Sequence, residues 1–216
     1  MANDFDVAER LTQAALDLAC ERGWRNVSLA ETASRAGVPL LDTYRTFPDK
    51  TALLCGLIVA TDRAMLEEGA ADPNEPARDR LFDILMRRFD ALQSRRDGMI
   101  AIIRDIPLDP LCACCLLPRL SRSLAWTLEA AGISSAGGLG FLRIKALGVL
   151  YLSVLRIWLA DDTPDMARTM AMLDKALQRI DSIARILPGS GKASREGQTP
   201  DETPPLANDE PPGAPA

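Results

Sequence analysis

Apolar residues recur every three to four positions through most of this chain, and that spacing predicts helices. Val7, Leu11, Ala14, Ala15, Leu18 and Ala19 form the first stripe, with Asp4 or Asp6 available as its cap and Gly23 as its stop. Ser28 followed by Glu31 is a capping-box pattern and opens a second helix, whose buried positions are Leu29, Thr32 or Ala33, and Ala36. Gly37 ends it. Pro39 suits the opening of a third helix, since its missing N–H would lack a partner there in any residue. Tyr44 and Phe47 then fall three apart, on one face.

Pro48 breaks that helix and Asp49 caps the next, a longer one from Thr51 to about Glu68 carrying Leu53, Leu54, Leu57, Ile58 and Met65. The stretch from Gly69 to Pro76 reads as a linker. Beyond it, Leu81, Ile84, Leu85, Phe89 and Leu92 make a stripe over residues 80–94, and 98–105 forms a short apolar segment. Pro107 and Pro110 mark a kink or turn, residues 116–130 form a helix containing Trp126, and Gly137-Gly138-Leu139-Gly140 reads as a flexible connector. Residues 143–160 are the most apolar helix, interrupted as a membrane span by Arg143, Lys145 and Arg156. Asp161-Asp162-Thr163-Pro164-Asp165 caps a last helix, 166–187, with Met170, Leu173, Leu177 and Ile180 inward. After Pro188, Gly, Pro, Ser, Glu and Asp dominate with no apolar period, which predicts a disordered acidic, solubilising tail over 188–216.

Composition agrees with an all-α chain: Ala, Leu and Arg are abundant and β-branched residues sparse. Charge changes the picture more. The net charge is -5, and up to Leu53 the bases Arg10, Arg22, Arg25, Arg35, Arg45 and Lys50 face eight acids, Asp4, Asp6, Glu9, Asp17, Glu21, Glu31, Asp42 and Asp49. Affinity for phosphate would therefore have to come from local placement and dimerisation. The chain has no histidine, which removes the commonest general base and any Ser/His or Cys/His pair, and it has no glycine-rich phosphate loop. Cys20, Cys55, Cys112, Cys114 and Cys115 show no disulfide framework, and the acidic amino terminus is no signal peptide, so a reducing, cytoplasmic setting follows. Buried small hydrophobes in a helix account for the Cys112–Cys115 group better than a metal site. No enzyme, metal or cofactor is expected.

Taken together, Ala14-Ala-Leu-Asp-Leu18, Arg22-Gly-Trp24, Ser28-Leu-Ala30, Ala36-Gly-Val38, Tyr44, Phe47 and Lys50-Thr-Ala-Leu-Leu54 resemble the amino-terminal domain of TetR-family regulators. The resemblance implies a helix-turn-helix DNA-binding head over 1–54, a helical ligand-binding and dimerisation body over 55–187, and a homodimeric repressor on a palindromic double-stranded DNA operator. It makes Ser28 a cap and phosphate contact, Tyr44 a backbone-contacting aromatic and Lys50 a phosphate-binding cation. The base-reading positions would be Leu40, Leu41, Asp42 and Arg45, where the family usually has small, polar or basic residues. Leu40 and Leu41 could touch thymine methyls, Asp42 accept from cytosine and Arg45 grip guanine or phosphate. Thr46 replaces a frequent histidine and can still contact phosphate.

A second resemblance lies toward the carboxyl end. Arg143-Ile-Lys-Ala-Leu-Gly-Val-Leu-Tyr151, Trp158-Leu-Ala-Asp-Asp-Thr-Pro-Asp165 and Thr169-Met-Ala-Met-Leu173-Asp174 are similar to the coenzyme Q biosynthesis lipid-binding proteins, which share the TetR-like fold. This implies an alternative: a non-DNA-binding accessory protein of ubiquinone synthesis that binds membrane isoprenoid lipid. Either way the body should hold an apolar pocket lined from among Phe82, Leu85, Phe89, Ile102, Trp126, Leu147, Tyr151 and Trp158. No basic group is plainly aimed inside, so a small apolar or aromatic ligand is expected. Dimerisation is expected on the last two body helices. The intact spacing of the head motif favours the regulator.

Overall fold

The structure, a computed structural model, describes residues 2–186, with side chains for 6–180. Nine α-helices and no strands stand among the described residues: α1 Ala2–Arg22, α2 Leu29–Ala36, α3 Leu40–Thr46, α4 Lys50–Glu67, α5 Ala77–Gln93, α6 Arg96–Asp105, α7 Pro110–Ala130, α8 Gly137–Trp158 and α9 Ala167–Ile186. Short 3-10 turns cover Trp24–Asn26 and Ile106–Leu108. The described residues up to Arg179 belong to one compact unit, and those from Ile180 on, the end of α9, to a second. The expected tail over 188–216 lies outside the described residues.

The helix ends follow the local chemistry. Ser28 Oγ accepts from Glu31 N at 3.2 Å while the Glu31 carboxylate accepts from Ser28 N at 3.1 Å, so the capping box closes. Gly37 takes the left-handed conformation, φ 61°, that lets its N–H satisfy the last carbonyls of α2. Asp49 Oδ1 accepts from Ala52 N at 2.7 Å and starts α4. α1 already runs from Ala2, so Asp6 lies inside the helix and faces Arg10 one turn on, at 3.8 Å.

Two larger cores result. One gathers α1, α2, α3 and the start of α4 around Leu11, Ala15, Trp24, Val38, Phe47 and Leu53, and receives Ile102 from α6. The other gathers α5, α7, α8 and α9 around Leu85, Phe89, Leu124, Leu147, Val154, Trp158 and Leu173. α4 runs unbroken across residue 54, from Leu53 and Leu54 in the first core to Met65, which packs with Ile84 and Ala130 in a third, smaller cluster. Some expectations fail here. Tyr44 is 65% exposed while Phe47 is buried, because the inward residue one turn before Phe47 is Thr43. Met170 and Ile180 are exposed, and the inner face of α9 is Thr169, Leu173 and Leu177. Gly137–Gly140 is no connector but the first turn of α8, where the Ser135 carbonyl leaves no room for a Cβ on Gly140.

Asp161 is fully buried between α8 and α9. Its Oδ1 accepts from the N–H and hydroxyl of Thr163 at 3.2 and 2.6 Å, its Oδ2 from those of Thr169 at 2.8 and 2.7 Å. Burial alone would raise its pKa; the four hydrogen bonds outweigh it and lower it from 3.8 to about 2. A carboxylate depressed in this way stabilises the fold above its unfolded pKa and ceases to as pH falls through its folded value. Asp161→Asn is expected to cost about 2 kcal/mol at neutral pH. Urea unfolding near pH 7 and again near pH 3 checks this: the gap from the parent should narrow at the lower pH.

Candidate functional site

α2, the Gly37 turn and α3 form a helix-turn-helix whose outer face is set by what its inner face buries. Thr32, Ala33, Val38, Thr43 and Phe47 point into the head core, so Leu40, Leu41, Tyr44 and Arg45 point out, the first three at 60, 59 and 65% exposure. Asp42 and Thr46 are half-buried. Ser28 is exposed at the start of α2 with its hydroxyl on the Glu31 carboxylate at 2.6 Å. The structure thus brings Leu40, Leu41, Tyr44 and Arg45 onto one accessible surface.

Five of the six cations of the head are engaged by acids or backbone carbonyls. Arg45 meets Asp42 at 3.4 Å, Arg22 meets Glu31 at 2.9 Å, and Arg35 grips Glu21 with two nitrogens at 2.8 and 2.9 Å. The Arg35 fork holds the Glu21 carboxyl below its ordinary value. Arg10 donates to the Gly37 carbonyl at 3.0 Å, covering the end of α2. Lys50 donates to the Trp24 carbonyl at 2.9 Å, with its ammonium 4.5 Å from the Trp24 ring centroid. Burial pushes the Lys50 pKa down, against the pull of the Asp105 and Asp109 carboxylates. That ammonium faces a polar cleft of about 310 Å³ walled by Trp24, Arg25, Lys50, Asp105, Ile106 and Asp109. Asp105 Oδ2 also accepts from Arg25 N at 3.1 Å, tying the end of α6 to the turn after α1.

The body holds a second cavity of about 310 Å³, lined from α4, α5, α6, α7 and α8 and almost wholly aliphatic: Leu57, Leu92, Ile102, Leu116, Leu120 and Leu155 are representative. Of the pocket residues expected from the sequence, Ile102 and Tyr151 line it. Leu85, Phe89, Leu147 and Trp158 lie in the body core, Phe82 packs partly buried against them, and Trp126 is 55% exposed. Leu117 and Leu152 line the cavity yet are 55 and 46% exposed, so it opens to the surface between α7 and α8. Ile106 lines both this cavity and the polar cleft.

One lining residue overturns the expectation that no basic group faces inside. Arg88, 2% exposed, sits in the cavity wall with its guanidinium carbon 5.0 Å from the Tyr151 ring centroid. One of its terminal nitrogens donates to Asp62 Oδ1 at 2.7 Å. Asp62 Oδ1 also accepts from the Ser123 hydroxyl, and its Oδ2 from Arg119 at 3.3 Å. Local sequence gives no sign of this cluster, whose partners come from α4, α5 and α7. The Cys112–Cys115 group differs from expectation too: Cys114 and Cys115 are exposed and Cys112 half-buried, because α7 turns one side to solvent.

No family model matches the chain, and no curated protein matches it. Solved structures do. A TetR transcriptional regulator from Nitrosomonas europaea superposes with a TM-score of 0.63 at 24% identity, over 83% of this chain and 98% of that one. One from Rhodococcus does so with a TM-score of 0.58 at 24% identity, over 81% and 94%. One from Streptomyces coelicolor gives 0.53 at 22% identity, over 82% of each. The chain has the all-α fold of the TetR regulators.

Proposed function

We propose that the chain is a DNA-binding transcriptional regulator of TetR type. The observation that carries this is the outward face of α3, presented by a closed capping box and a left-handed glycine turn on a TetR fold. In a helix-turn-helix the first residues of the second helix approach base edges. Here those residues are Leu40 and Leu41, suited to thymine methyls, with Arg45 one turn on and Tyr44 beside it as the phosphate contact. Leu139, Phe141, Leu142 and Val149 of α8, all at least 62% exposed, with Met170 of α9, form the apolar surface for a second copy. The cavity would take the ligand that switches a homodimeric repressor between operator-bound and free states, and Ile106, common to cavity and cleft, would carry that change toward the head.

The test is a titration of the full chain against DNA upstream of its own gene at two salt concentrations, with unrelated duplex as competitor. Specific binding that weakens with salt is expected. Tyr44→Ala should lose roughly tenfold in affinity, the effect of one hydrogen bond to a charged group, without altering thermal unfolding, because Tyr44 is exposed. Absence of duplex binding at either salt counts against the regulator.

A specific observation favours a second reading. The engagement of Arg10, Arg22, Arg35, Arg45 and Lys50 by acids and backbone carbonyls, beside two exposed leucines on α3, is compatible with a lipid-binding accessory protein that makes no DNA contact. Under it, organic extraction of the native protein yields an isoprenoid lipid and no operator is found; an empty extract counts against it.

A further inference from the structure

We infer that the body cavity binds an amphiphilic monocarboxylic acid, a fatty acid with its carboxylate at Arg88 and its chain along the aliphatic wall. This rests on the reading of the cavity as the ligand site, and adds to it the chemical class of the ligand.

The argument starts from charge. Arg88 and Arg119 share a single carboxylate, Asp62, so the cluster carries one net positive charge. Arg119 is partly exposed and can be hydrated, but Arg88 is buried, and a buried charge is tolerated only when it is neutralised and hydrogen-bonded. Both Asp62 oxygens are already engaged, Oδ1 twice and Oδ2 once. An oxyanion entering the cavity would stand beside the Arg88 guanidinium in its wall and offset the charge that Asp62 alone leaves uncompensated. One negative charge completes the cluster, whereas a phosphate dianion would overshoot it.

The rest of the wall decides what the anion is attached to. Apart from Arg88, only Thr61 and Tyr151 among the lining residues bear a polar side-chain atom, and the Thr61 hydroxyl is already given to the Leu57 carbonyl at 2.9 Å. Tyr151 is the one aromatic; leucine, isoleucine and Met99 make up most of the remainder. Such a surface suits a flexible hydrocarbon chain better than a flat ring system, which would look for stacking partners. Along α4 the lining runs from Leu54 to Thr61, about 10 Å of helix, and the volume lies at the lower end for ligand sites. Both dimensions suit a chain of medium length.

The experiment is calorimetric titration of the full chain with decanoate and, separately, decan-1-ol, which differ in head group alone. Decanoate is expected to bind at least about tenfold more tightly, the effect of one charge-assisted hydrogen bond. Arg88→Gln should remove that preference and leave the two ligands alike. Because that variant deprives Asp62 of a partner and can fail to fold, the parent's head-group preference is the primary reading. Ile103→Trp, which fills the cavity from its wall, should abolish binding of both. Equal affinity for acid and alcohol in the parent, or binding of neither, overturns the inference. No DNA is present in the titration. A failed operator experiment therefore leaves this result standing, and an acid that does not bind leaves the DNA reading untouched.

Discussion

Asp62→Ala is expected to lower the unfolding free energy by about 3–5 kcal/mol, the usual cost of removing one partner of a buried ion pair. Asp62 is 9% exposed and is the one carboxylate hydrogen-bonded to Arg88, which is 2% exposed. Its loss strands that guanidinium, frees the Ser123 hydroxyl in a buried site and detaches Arg119. Denaturant unfolding measures the effect, and a double replacement separates its causes. Asp62→Leu with Arg88→Met removes both charges and keeps the volume, so it should recover most of the loss, because the penalty comes from the unpaired charge and not from missing attraction. A double variant as unstable as Asp62→Ala would show that packing around the cluster, not charge, sets its stability.

Trp158→Ala should cost a similar amount, about 3–5 kcal/mol, through a different cause. The side chain is fully buried at the end of α8, and its ring N–H donates to Gln93 Oε1 at 3.0 Å. The Arg96 guanidinium lies over the ring at 5.1 Å and also donates to the Trp158 carbonyl at 3.1 Å. Truncation opens a void between α5, α6, α8 and α9 that neighbouring helices cannot fully close. Trp158→Phe keeps a six-membered ring and loses the rest of the indole with its donor, so its deficit should be smaller, about 1–2 kcal/mol, from the unpartnered Gln93 oxygen and a smaller void. Equal deficits for Ala and Phe would assign the effect to the hydrogen bond alone.

Most helices were legible because they announce themselves locally, through an apolar period and a cap or stop nearby, whereas the starts of α7 at Pro110 and α8 at Gly137 were hidden by proline and glycine that read as breakers. Ser28, Asp49 and Asp161 act on neighbours in sequence, and all three hold the helix ends expected of them. The cavity was not legible. Choosing large aromatics as its lining selects side chains that fill space, and Phe89 and Trp158 accordingly lie in the solid core. A cavity is found where helices diverge between medium-sized residues such as Leu57, Leu92 and Ile103. Arg88 was hidden for a related reason. Beside Arg87, it reads as part of a solvated pair, while Asp62 stands 26 positions earlier on another helix. Glycine misled in the opposite sense at 137–140, where it marks tight packing at a helix start, not freedom.

The placement of Ile106 has a consequence of its own. A single side chain walls both the oily chamber of the body and the charged recess beneath the head. Such a partition cannot yield to one compartment without encroaching on the other. A coupling made through Ile106 is symmetric: whatever factor an occupant of the chamber applies to the equilibrium of the recess, closure of the recess returns to the occupant. If that link carries the signal, a ligand that loosens the head is one the anchored head holds less tightly, by the same factor, and affinity measured on protein free of DNA is the upper limit of what the complex shows.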